Sequence, residues 1–132
     1  MKHLWAFIGA LYLAVGIGMG AYGAHGLRTL VQAPRLIESF EYAVLYQLIS
    51  GLGFFAIAWA LGHFRGWLVN VGGLLLLLGS LGFSLSLYLQ VLLNFKLFPY
   101  VTPVSGGLMI AAWAVVAVAA LTSKPFQSSW HS

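Results

Sequence analysis

Four apolar stretches, each long enough to cross a lipid bilayer, leave this chain few folds to choose from. They cover about residues 4–23, 40–62, 68–93 and 104–122. A helix rises about 1.5 Å per residue and the hydrocarbon core of a bilayer is about 30 Å thick, so about 20 apolar residues make a crossing. Within hydrocarbon, every backbone N–H and C=O must be satisfied by the protein itself. Runs of this length without strand-like alternation meet that demand as helices. Composition agrees: the 132 residues are 61% hydrophobic and 6% charged, whereas soluble domains average about 25% charged. The expected fold is all-α, an integral membrane four-helix bundle forming one domain over residues 1–132.

The breaks between the stretches set the expected topology. Lys2 ahead of the first stretch and Ala21-Tyr22-Gly23 behind it resemble a signal peptide, but the apolar run is long for one and reads as a retained span. Pro34 suits the first turn of a helix, so the second helix should start at the interface before its span begins at Phe40. The tight "HFRGW" turn forces the second and third helices antiparallel, and Thr102 and Pro103 read as cap and first turn of the last helix. The tail "SKPFQSSWHS" is too polar and short to fold alone. Four crossings bring both termini to one side. Basic residues divide evenly, with Lys2, Arg65 and Lys124 facing Arg28, Arg35 and Lys96. Trp5, Trp59, Trp67 and Trp130 gather on the terminal side as an aromatic belt, which favours termini in the cytoplasm.

Several function classes are excluded by what the chain lacks. Its six basic residues are scattered singly, with no patch to meet nucleic acid. It has no cysteine, two carboxylates (Glu38 and Glu41), and a His25 set apart from His3, His63 and His131. No three or four donors share one depth, so no metal, haem or other cofactor is assigned. Neither a G-x-S-x-G elbow nor a phosphate-cradling loop is present. Ser84 or Ser86 with His25 and Glu41 is too sparse a set for hydrolysis, so no catalytic residue is assigned and the chain is read as non-enzymatic.

Two patterns remain inside the spans. Lipid chains are as apolar as leucine, so helices associate largely by close approach through small residues. Gly9, Gly16, Gly20 and Gly23 form one face of the first span; Gly72, Gly79, Gly82 and Ser86 form another on the third; the last opens with Ser105-Gly106-Gly107. The glycines at 9, 16, 20, 72, 79 and 82 are expected to be packing positions. The second pattern is polar. Tyr42, Tyr46, Gln47 and Ser50 of the second helix, and Ser84, Ser86, Tyr88 and Gln90 of the third, fall in the halves nearest the 24–40 linker, where His25 and Glu41 also lie. Embedded polar groups cost free energy unless partnered, which makes them functional candidates. The spacing predicts one pocket, open to the linker side, lined by His25, Glu41, Tyr46, Gln47, Ser84 and Tyr88.

"GAYGAHGL", "FEYAVLYQ", "GFSLSLYLQVL" and "VTPVSGG" followed by Trp113 resemble, in that order, the small four-helix membrane proteins of domain of unknown function 423, grouped with eukaryotic transmembrane protein 256. The resemblance runs from about Gly9 to Ala120. It implies an integral membrane protein, in the inner or plasma membrane if bacterial, and carries no substrate or reaction. The chain departs from the family pattern at Ser50, where members often have histidine, and at Leu85, where they often have glycine. The functional expectation is a module bound by membrane lipids that holds a lipid-like or small amphipathic molecule, or a partner's transmembrane helices. The alternative is an oligomeric transporter or channel subunit.

Overall fold

The structure, a computed structural model, describes residues 2–93 and 101–123. The described chain forms five helices: α1 (Lys2–Ala24), α2 (Leu27–Leu30), α3 (Pro34–Leu61), α4 (Gly66–Leu92) and α5 (Val101–Thr122). The four long ones are each long and apolar enough to span a membrane. Pro34 occupies the first turn of α3, where its missing N–H costs nothing. Residues Gly62 to Arg65 join α3 to α4, too short a link for anything but an antiparallel hairpin. The short α2 lies within the linker and inserts Leu27, fully buried, among Phe40, Ala43, Tyr88 and Val91. Lys96, Lys124, Trp130 and most of the polar tail lie outside the described residues.

Helices α3 and α4 form the central hairpin, with α1 packed along α3 and α5 along α4. Glycine decides both contacts. A Cβ on Gly9 would lie 2.7 Å from the carbonyl oxygen of Gly51, so α1 and α3 cross there backbone to backbone. Further along, Gly16 faces Leu48, Gly23 faces the Phe40 ring, and Gly20 meets only a Val44 methyl at an ordinary 3.4 Å. On α4, Gly72 faces Val116 and the Ala112 carbonyl, Gly79 the backbone of Ser105 and Met109, and Gly82 the Ser105 side chain. Ser86 ends that stripe in a 2.7 Å hydrogen bond to Thr102. Thr102 therefore lies inside α5 and bonds α4, in place of the capping role its position suggested. Among the described residues, Gly107 has nothing within 4 Å of its Cβ position, and Gly106 only the edge of Phe83.

The terminal side holds the larger core. Trp5 is 2% exposed, stacked on Phe54 at 5.7 Å, and its indole N–H donates to Asn70 Oδ1 at 3.0 Å. It is a core residue and no part of an interfacial belt; Trp59 and Trp67 stay exposed. A buried indole N–H needs a partner, and Asn70 of α4 supplies it. Gly73 makes room for the ring: a Cβ there would lie 2.6 Å from it. At the same end Arg65 Nε donates to the Thr122 carbonyl at 2.9 Å, placing a cation at the negative end of the α5 dipole.

A side chain at Gly9 or Gly79 cannot be absorbed, because the atoms it would meet are backbone. Gly9→Ala and Gly79→Ala should each destabilise the bundle by about 1–3 kcal/mol, measured by unfolding in detergent. Gly107→Ala should be neutral or stabilising by up to ~1 kcal/mol from helix propensity. Equal stability of all three would contradict the two crossings.

Candidate functional site

Gly9, Gly16, Gly20 and Gly23 of α1 turn toward α3, so α1 reaches α4 through longer side chains. Beyond the Trp5 wedge this leaves a groove of about 380 Å³ between α1 and α4, with α3 as its floor. Its apolar walls are Leu11, Val15 and Met19 on one side and Leu81 and Leu85 on the other. Tyr12, Gln47, Ser80, Ser84 and Tyr88 supply the polar groups.

These polar residues make a connected chain across three helices. The Tyr88 hydroxyl donates to Gln47 Oε1 at 2.6 Å, and Gln47 Nε2 donates to the Tyr12 carbonyl at 3.1 Å. A carbonyl only accepts, so this contact also fixes which end of the Gln47 amide faces α1. The Tyr12 hydroxyl meets Ser80 Oγ at 2.7 Å; Ser80 donates to the Leu77 carbonyl at 3.3 Å, so Tyr12 is the donor in their contact. Ser84 Oγ donates to the Ala43 carbonyl at 3.0 Å, joining α4 to α3. Ser50, one turn beyond Gln47, is fully buried with no partner for its hydroxyl among the described residues.

The six residues expected to share a pocket do not. Gln47, Ser84 and Tyr88 line the groove. His25 lies exposed in the turn after α1, its ring without a hydrogen-bond partner among the described residues; only its backbone N–H is engaged, by the Tyr22 carbonyl. It is a helix end. Glu41 is exposed and pairs at 3.2 Å with Arg28, not with His25, beside a smaller hollow of about 170 Å³ against α2. Tyr46 points to the opposite face of the hairpin, where its ring meets Phe83 edge-on at 4.9 Å. There it lines a separate groove of about 500 Å³ with Ile49, Ile110 and Trp113. The reason is angular: five residues turn a helix through about 500°, so Tyr46 diverges from Glu41 by some 140°. Gln47 stands one position on and faces inward.

Tyr12 and Ser80 are site residues that the spacing argument missed. Both carried a signal. Tyr12 lies ten residues from one end of α1 and twelve from the other, too deep for a belt tyrosine. Ser80 stands one turn before Ser84 and two before Tyr88, completing a single stripe at intervals of four.

A family model described as "Protein of unknown function (DUF423)" matches residues 19–106, which contain every polar member of the groove except Tyr12. The chain belongs to the DUF423 family. Among its relatives is a UPF0382 membrane protein of Staphylococcus haemolyticus, 36% identical over 115 residues, covering 87% of this chain and 93% of that one. The UPF0382 membrane protein YwdK of Bacillus subtilis is 29% identical over 119 residues, covering 89% and 96%. No solved structure matches. Helix lengths, apolar composition and relatives named as membrane proteins make this DUF423 member an integral membrane protein with four spans.

Interhelical hydrogen bonds in membranes contribute roughly 0.6 kcal/mol on average and up to about 1.7. Tyr88→Phe, which removes only the bond to Gln47, should lower stability by an amount in that range. Tyr46→Phe and His25→Ala should leave unfolding unchanged. A loss on His25→Ala as large as on Tyr88→Phe would contradict the assignment of His25 as a helix end.

Proposed function

We propose that this DUF423 member is a non-enzymatic module of the plasma membrane that holds a lipid-like or small amphipathic molecule between α1 and α4. The observation that carries this reading is the groove: apolar walls within the membrane-spanning region and a hydrogen-bonded floor. Its size falls within the ~300–1,000 Å³ of small-molecule sites, which are mostly apolar with a few placed polar groups. The non-enzymatic reading is supported by the floor's chemistry, since it contains hydroxyls and an amide but no titratable acid–base pair. Among the described residues no three of histidine, aspartate and glutamate lie together. The family description names no activity.

Reconstitution in phosphatidylglycerol vesicles with a phospholipid carrying a diazirine in its acyl chain tests the reading. Photolabelling should concentrate on Leu11, Val15, Leu81 and Leu85, above the level at Leu74 and Leu78, which are exposed on α4 outside the groove. Labelling that follows exposure alone would mean the groove holds no occupant distinct from bulk lipid.

A further inference from the structure

Resting on that reading, we propose that the groove's preferred occupant is an uncharged amphiphile that brings a carbonyl oxygen down to the free N–H of Gln47. A primary amide has two N–H donors. One is taken by the Tyr12 carbonyl, and the other has no acceptor among the described residues. Gln47 is 7% exposed, and it is one of the residues that line the groove. A donor left unpaired in hydrocarbon is costly, and an acceptor delivered along the groove removes that cost.

Depth selects the kind of acceptor. The Gln47 amide lies between Tyr12, whose carbonyl it bonds, and Gly16, whose Cβ position is 3.5 Å from its carboxamide carbon, so it sits roughly 12–18 Å from the linker end of α1. The ester carbonyls of a resident phospholipid stay at the interface, so such a lipid presents only methylenes to Gln47. An occupant that satisfies the amide must carry its own oxygen to mid-span. Charge selects further. No residue lining the groove is ionisable as acid or base at neutral pH, and none could offset an ionic head drawn out of water. The oxygens of Tyr88 and Ser84 each donate one bond and accept none among the described residues, so they complement a hydroxyl on the same ligand. A diacylglycerol carries both a carbonyl and a hydroxyl, and a quinone ring supplies the carbonyl alone.

The test uses the full chain in phosphatidylglycerol nanodiscs, with decylubiquinone or diolein added and bound adducts counted by native mass spectrometry. One probe or both should bind at one per protein and displace the diazirine phospholipid from Leu81 and Leu85. Which one binds identifies the source of the carbonyl. Gln47→Leu should weaken binding at least tenfold, and Leu85→Trp, which fills the groove while leaving the Gln47 bonds intact, should do the same. Unchanged binding by a folded Gln47→Leu protein would overturn the proposal. Should that variant fail to fold, unchanged binding by Leu85→Trp overturns it alone. If the phospholipid labels the groove and neither probe displaces it, this inference fails while the groove reading stands. An unlabelled groove defeats both.

Discussion

Backbone meeting backbone at Gly9–Gly51 and at Gly79–Ser105 is the contact from which the rest of the arrangement follows. In lipid there is no hydrophobic force to draw one apolar helix onto another, so the pairs that can approach most closely form the strongest contacts. Gly9, Gly16, Gly20 and Gly23 of α1 are directed at α3, and the Gly72, Gly79 and Gly82 stripe of α4 at α5. Each outer helix is thereby committed to one member of the central hairpin. The gaps between α1 and α4, and between α5 and α3, are left to long side chains. Trp5 fills the first gap at one end, leaning on Gly73, and leaves it open toward the linker. The second is lined by Trp113, whose ring lies 2.7 Å from where a Gly53 Cβ would be.

The polar chain from Tyr88 through Gln47 and Tyr12 to Ser80 then has two consequences. It fixes α1, α3 and α4 at one register, because each bond joins a different pair of helices. It also places an amide and hydroxyls beneath an apolar groove without adding a charge. An embedded ion would have required a partner or a water path. Neutral groups need only each other, and they leave one amide donor over.

Helices were far more legible in the sequence than the site was. Length and hydropathy specify spans almost independently of context, and Pro34 marked the start of α3. Residues facing a groove depend on rotation about each helix and on which neighbour the helix chooses, which a common depth does not reveal. Tyr46 shares a depth with Gln47 and Tyr88 but not a direction, while His25 and Glu41 lie nearer the linker end of the bundle. Trp5 looked interfacial because tryptophan near a helix end usually is; its burial depended on Gly73 and Asn70, more than sixty residues away. Ser80 and Tyr12 were readable, one from its interval of four to Ser84 and the other from its mid-span position. Leu27 was not, since nothing local distinguishes a linker leucine that folds back onto Phe40 from one that rests on lipid.

Glycine contacts commit α1 to α3 and thereby leave a groove against α4, which we propose a membrane amphiphile fills. A density map of the protein in nanodiscs made from its native membrane lipids would test this most directly. Elongated non-protein density is expected between Val15 and Leu85, reaching the level of Gln47, with α1 crossing α3 at Gly9 and Gly51. Side chains of α1 and α4 interdigitating along their whole length, with no density between them, would contradict it.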